Sequence, residues 1–347
     1  MIRIALFLIL LAACSPTVNP VEPAMDVATS IPATRPAPVV EQNESPPTRR
    51  PELTSDAGTV GEGLTNESQT TSLDTAPTVV APTLVPSPTP LGPEAINDIP
   101  LSSIAPMSPE TAANIGAIYA RGQELGRNPN AFSKLGDSTI LNPHFLGPFD
   151  QGDYDLGEFE YLQPTIDRWR GSFERHGVGA HPGLHSWTVF DPMWADEKWC
   201  EAGEHLLACE IRLQNPSVLF VRLGSNDAGS PGGFRYNVKE VIEYAIENGV
   251  IPIIGTKADR FEGSNENNDI LRALAAEYAV PLWDFDLVAE TLPGRGLDTD
   301  NVHLIIDELP HDYTTPEAFQ RGHAMQDLTA LVVLDQVRRI IETTSSP

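Results

Sequence analysis

Val218-Leu219-Phe220-Val221-Arg222-Leu223 is an apolar run broken only by Arg222, and it leads straight into Gly224-Ser225-Asn226-Asp227. A run this short and this apolar fits a strand buried on both faces. Downstream the pattern repeats: a helical stretch from about Val238 to Asn248, a strand at Val250 to Gly255, a helix from about Asn268 to Tyr278 and a strand at Val280 to Phe285. Gly249 stands where the first of these helices needs a left-handed cap. Strand and helix alternating in this way predict an α/β fold with a central parallel sheet covered on both faces. Reactive groups in such sheets collect at the carboxyl ends of the strands, which is where Gly224 to Asp227 falls.

Upstream, Ser108-Pro109-Glu110 supplies a capping hydroxyl, a proline at the first helical position and an acid in the first turn, so a helix runs from there to about Leu125. Ala131 to Leu135 reads as a short strand ending at Gly136, which puts Ser138 at a strand exit. The segment Tyr154 to Trp199, rich in tryptophan and glycine, reads as long loops around one helix near Tyr161 to Arg170. A final helix from about Pro316 to Ile341, capped by Thr315, carries Phe319, Leu328, Leu331, Val332 and Leu334 on an apolar side.

Three fragments carry chemistry: Gly136-Asp137-Ser138, Gly224-Ser225-Asn226-Asp227 and Asp300-Asn301-Val302-His303. A serine hydroxyl becomes a nucleophile at neutral pH when an imidazole takes its proton, an acid orients that imidazole and donors hold the oxyanion. Asp300 precedes His303 by three residues, so one local turn brings its carboxylate to the ring nitrogen facing away from the serine. Each fragment alone is weak: Gly-Asp-Ser is also an ordinary turn, and Asn226 could brace one. Asp298 is an alternative partner for His303, and Asp137 reads as an acid that shapes the serine turn.

Together the three fragments resemble the first, third and fifth sequence blocks of the SGNH, or GDSL-type, hydrolases, over about Ala131 to His303. The resemblance implies a flavodoxin-like three-layer α/β/α sandwich, and ester hydrolysis through an acyl-serine. Carried over by position, it implies Ser138 as nucleophile, His303 as general base and then acid, and Asp300 as the orienting acid. It implies oxyanion donors in the backbone N–H of Ser138, the side-chain amide of Asn226 and a glycine N–H. Gly177, Gly179 and Gly183 compete for the last role, and Gly183 is favoured because Ala180 to Trp187 leads into Val189-Phe190-Asp191-Pro192 as the family's second block leads into its helix. Thr139 departs from the pattern, standing where the family's short name has leucine. No cofactor is implied.

The first third of the chain is of another kind. Met1 to Cys14 has a basic start, an apolar run from Ile4 to Ala13, and small residues before a cysteine. It reads as an export signal, too short to span a bilayer, and Leu11-Ala12-Ala13-Cys14 resembles the bacterial lipobox, which makes Cys14 the expected lipidated residue. From residue 15 to about 106 no aromatic residue occurs, and half of the 32 prolines lie in the first 100 residues. The expected organisation is therefore a leader (1–14), a flexible tether (15–106) and one globular domain (107–347).

The formal charge of −26 argues against nucleic acid and against direct adhesion to anionic lipid, which need basic patches. Cys200 and Cys209 form a lone close pair, most simply a disulfide in an exported protein, and make a poor metal site without a third ligand at suitable spacing. His181 and His185 are expected in a loop, because Pro182 and Gly183 disfavour a helix there. Trp187, Trp194 and Trp199 either pack or wall a site for sugar rings.

The expected function is an extracytoplasmic serine esterase, lipid-anchored to the cell membrane or an outer membrane, acting on a small acyl ester. An O-acetyl group on a glycan is the candidate substrate, since surface polysaccharides lie within reach of such a tether. A non-catalytic glycan- or protein-binding module on the same fold, or acyl transfer by the same serine, are the alternatives. Fold alone does not select among them.

Overall fold

Four strands hydrogen-bond in parallel: Asn128–Gly136 (β1), Pro216–Arg222 (β2), Ile251–Gly255 (β3) and Leu282–Trp283 (β4), in that spatial order. The computed structural model describes residues 92–141 and 143–345; Cys14, the leader and most of the expected tether lie outside them. Helices flank the sheet: Pro109–Glu124 (α1), Leu206–Gln214 (α2), Pro231–Glu247 (α3), Glu266–Glu277 (α4) and Gly322–Ser345 (α5). α1 packs with α5, and α3 with α4, so the sheet is the middle layer of an α/β/α sandwich. β2, the opening stretch of the sequence reading, is buried at every position.

A fifth segment extends the sheet beyond β1. The Gly136 N–H donates to the Gly179 carbonyl at 3.1 Å, the His181 N–H donates to the Gly136 carbonyl at 3.0 Å, and Gly136 bridges Ala180 in parallel. With it counted, the spatial order by chain position is 2-1-3-4-5, the flavodoxin-like order, whose switch point lies at the end of β1. Glycines hide this segment from a reading of periodicity. Close packing explains two of them: a Cβ on Gly179 would strike the Lys134 carbonyl, and one on Gly177 the Glu210 carboxylate.

Several boundaries differ from expectation for local reasons. α1 starts as expected, with Ser108 Oγ accepting from the Thr111 N–H at 3.0 Å, and Gly249 closes α3 at φ +67. α5, however, starts at Gly322 rather than Pro316, and Thr315 does not cap it. Arg321 is extended (φ −101, ψ 131) between a short 3-10 turn, Ala318–Gln320, and α5. Its guanidinium bonds Asp307 and the Leu309 and Pro310 carbonyls, an anchorage that interrupts the helical run. The helix near Tyr161 contracts to Gln163–Arg168.

The ordered domain also begins before residue 107, so the expected tether boundary is too late. Ala95–Ile96 and Ile99–Pro100 form a small hairpin across Asn97 and Asp98, both at positive φ (48 and 65). Ile96, Ile104 and Ala105 are buried, and the Asp284 N–H donates to the Ile104 carbonyl at 2.7 Å. Two isoleucines and a tight turn dock this stretch without any aromatic residue. Among the described residues, no helix is long and apolar enough to cross a membrane.

Candidate active site

Past β1 the chain turns at Asp137 into a 3-10 turn, Ser138–Ile140. Asp137 caps that turn: its Oδ1 accepts from the Thr139 N–H at 2.9 Å and from the Thr139 hydroxyl at 2.6 Å. Its carboxyl is buried, and burial pushes its pKa upward against the pull of those bonds. Thr139, the departure from the resembled motif, thus has a use here that leucine could not supply. Beneath the turn lies buried Arg222, whose Nη1 donates to the Thr139 carbonyl at 3.4 Å and whose guanidinium sits 5.9 and 5.6 Å from the Trp283 and Phe285 ring centres. The one charge in the apolar run of β2 therefore props the serine turn.

The histidine comes from a loop that folds on itself. Leu297 bridges Leu304 in antiparallel fashion, the Asp298 N–H donates to the His303 carbonyl at 2.8 Å, and Asn301 takes the left-handed conformation (φ 59) that closes the turn. Buried Leu304 and a contact between Gly296 and Gly322 seat this loop on the start of α5. Asp300 Oδ1 accepts from the N–H groups of Val302 and His303, at 2.9 and 3.0 Å, and its Oδ2 lies 2.6 Å from His303 Nδ1. The His303 hydrogen bond, with the two backbone donors, holds the Asp300 pKa at about 2, below the ordinary carboxylate value. Asp298 spends its carboxylate on the Thr299 N–H instead.

The two motifs meet: Ser138 Oγ is 2.7 Å from His303 Nε2. The structure thus joins Ser138, His303 and Asp300 in one hydrogen-bonded chain.

Asn226 follows β2, half-buried, and its side-chain amide donates to the Leu184 carbonyl at 3.2 Å. It therefore reaches the loop that contains Gly183. Gly183 has φ +73, a conformation suited to glycine, with open space where a Cβ would stand. Asp227 locks the same loop from below: its carboxylate accepts from the Ser186 N–H (3.1 Å to each oxygen) and from the Ser186 hydroxyl at 2.7 Å. Ser225 is held in turn by Asp259, which pairs with buried Lys257 at 2.9 Å. These braces escape a sequence reading, because Asp227 and Ser186 are 41 residues apart and share no local pattern. The only local signal is that an acid, Asp227, closes the fragment; nothing near it marks Ser186 or Asp259 as partners.

Cys200 and Cys209 are joined in a disulfide. Glu204 lies close enough to both to suggest a metal cluster, but the sulfurs bond each other and Glu204 pairs with Arg212 at 2.7 Å, so the set offers no thiolate. Of the three tryptophans singled out above, Trp194 and Trp199 line one cavity of about 720 Å³. Trp187 is not part of its lining; it lies beside the His185 ring, 5.7 Å between centres.

No family model matches the chain, and no curated protein matches it. Among solved structures, it is similar to a protein assigned to the SGNH hydrolases from Slackia heliotrinireducens, at 16% identity and TM-score 0.40, over 60% of this chain and 100% of that one. It is also similar to a GDSL-like lipase from Bacteroides thetaiotaomicron, at 13% identity and TM-score 0.37, over 66% of this chain and 98% of that one. A third is an acetyl esterase variant solved with acetate, at 13% identity and TM-score 0.38, over 61% and 99% of the two chains.

Proposed function

We propose that this chain is a serine ester hydrolase of the SGNH type. The observation that carries the reading is the unbroken chain of contacts from Ser138 Oγ to His303 Nε2 (2.7 Å) and from His303 Nδ1 to Asp300 Oδ2 (2.6 Å). With Asp300 ionised, Nδ1 carries the ring proton and Nε2 is left to accept the serine proton. Ser138 attacks the ester carbonyl, His303 takes the proton and returns it to the leaving alcohol, and water repeats the sequence on the acyl-serine.

For the oxyanion we assign the Ser138 N–H, the Asn226 amide and the Gly183 N–H. An amide nitrogen has two protons; Asn226 gives one to Leu184 and has a second for the oxyanion. Of the competing glycines, Gly179 spends its N–H on the Glu210 carboxylate at 2.8 Å, and Gly177 packs against the same group. Gly183 stands beside the residue that Asn226 grips.

The location we propose is outside the cytoplasm, with Cys14 as lipid anchor. The leader pattern supports this, and so does a disulfide, a bond that persists in oxidising compartments. The substrate class we favour is a small acyl ester on a glycan. Hydrolysis of p-nitrophenyl acetate by the full chain tests the esterase reading. Turnover by the wild type that falls to the uncatalysed rate in Ser138→Ala supports it; an inactive wild type, or an unimpaired variant, refutes it.

A further inference from the structure

We propose that the cavity between the 178–181 segment and the loop at 193–199 is a saccharide subsite that holds the glycan beside its ester. This rests on the esterase reading and goes further by naming where the sugar lies. The cavity, of about 720 Å³, is lined among others by Met193, Trp194, Trp199, His181, Asp196 and Gln214. Two indoles, a thioether and the side chains of Val178 and Leu213 share the lining with imidazoles, a carboxylate and an amide. A pocket for a long acyl chain would be apolar throughout; a sugar presents C–H faces to aromatic rings and hydroxyls to polar groups.

The lining displays apolar surface that folding does not explain. Met193 is 90% exposed and Trp199 53%, and with Trp194 they gather around one cavity rather than lying scattered. The wall is nevertheless fixed. Cys200, next to Trp199, is tied to α2 through Cys209; Arg212 donates to the Trp199 carbonyl at 3.1 Å while Glu204 grips its guanidinium. The Lys198 ammonium lies 4.6 Å from the Trp199 ring centre, and Trp194 meets the His181 ring edge-on at 5.4 Å. An exposed aromatic wall held this firmly is preorganised for a ligand.

Position links the cavity to the nucleophile. Ala180 and His181 line it, and Ala180 pairs with Gly136, two residues before Ser138. One strand spacing plus two residues is at most about 12 Å. The near end of the cavity, at Ala180 and His181, thus lies close to Ser138, while Leu213 and Gln214, just before β2, mark its far end. An oligosaccharide lying along it can keep a ring in the cavity and present an ester on a ring further along its chain to Ser138. Asp196 in the lining and the chain's charge of −26 favour neutral or amino sugars over polyanions.

The test uses the full chain. Binding of unacetylated cello-, xylo- and chito-oligosaccharides to Ser138→Ala is followed by tryptophan fluorescence and calorimetry, while acetylated forms of any that bind are assayed as substrates of the wild type. We expect at least one series to bind, and Trp199→Ala to raise KM for its acetylated form about tenfold, equivalent to the loss of one stacking contact. We expect kcat, and turnover of p-nitrophenyl acetate, to stay unchanged, since that small ester does not reach the cavity. Trp199→Phe should recover most of the affinity. The subsite is overturned if no oligosaccharide binds, or if Trp199→Ala leaves KM for the sugar ester unchanged. Failure of the esterase reading is separate: the wild type then turns over no p-nitrophenyl acetate.

Discussion

Ser138 and His303 meet at one hydrogen bond, yet they are supported in different ways. The serine stands on a turn whose capping acid, Asp137, is 1% exposed and whose floor is the buried Arg222. The His303 and Asp300 side chains are 44% and 50% exposed and depend on bonds formed within a seven-residue stretch, Leu297 to His303. Ser138 is thus positioned by the core, and His303 by a self-contained loop resting on it. Substitutions in the loop should change chemistry and leave the fold alone, whereas substitutions beneath the serine should change both.

The largest effect that tests this contrast is in the loop. Asp300→Asn should lower kcat on the order of 10⁴-fold, as the ring loses its orienting acid, with a thermal midpoint lowered much less than in Asp137→Ala, because the exposed carboxylate contributes little to stability. Asp298→Asn should leave kcat as it is, because Asp298 does not touch the ring. A melting transition that drops as far in Asp300→Asn as in Asp137→Ala would break the distinction between the two halves.

Asn226→Ala comes next, with kcat lower by about 10² to 10³ if the second amide proton serves the oxyanion. Steady-state kinetics on a small ester reads this directly, and an unimpaired kcat would reduce Asn226 to a brace for Leu184. On the serine side, Asp137→Ala should cost about 1–3 kcal/mol of stability, since it strips the Thr139 N–H and hydroxyl of their buried acceptor. Urea unfolding measures it. Loss of activity without loss of stability would mean that Asp137 acts on the chemistry and not on the turn.

The smallest effect is in pH. Asp300 has its pKa lowered to about 2, so its bond to the loop is complete above the ordinary carboxylate value of about 3.9 and is lost as pH falls toward 2. Asp137 is shifted the other way, by burial. Carboxyl carbon NMR should find Asp300 ionised at pH 4, and any loss of rate between pH 7 and 4 must then have another source. An Asp300 midpoint near 4 would show that the loop grips it less firmly than its three bonds imply.

The same contrast explains what the sequence made legible. Ser138, Asp300 and His303 could be read because each stands in a short motif next to a strand end or within a single local turn. The parallel strands could be read because β2 is apolar apart from Ser217 and Arg222 and β3 is apolar throughout. What escaped reading depends on closure of the fold. The 177–181 segment pairs through a single bridge, and its two glycines, Gly177 and Gly179, are required by close approach to Glu210 and Lys134. The start of α5 is set by Arg321 reaching back to Asp307, and the docking of Ile96 and Ile104 needs a surface that exists only once the sheet has formed. The Asp227–Ser186 clamp is of the same type.

A fluorophosphonate probe on the full chain, with the adduct located by peptide mass spectrometry, tests the central claim most directly. We expect a single adduct on Ser138, absent in Ser138→Ala and formed far more slowly in His303→Ala. An adduct on another residue, or none on the wild type, would contradict the assignment of Ser138 as a nucleophile activated by His303.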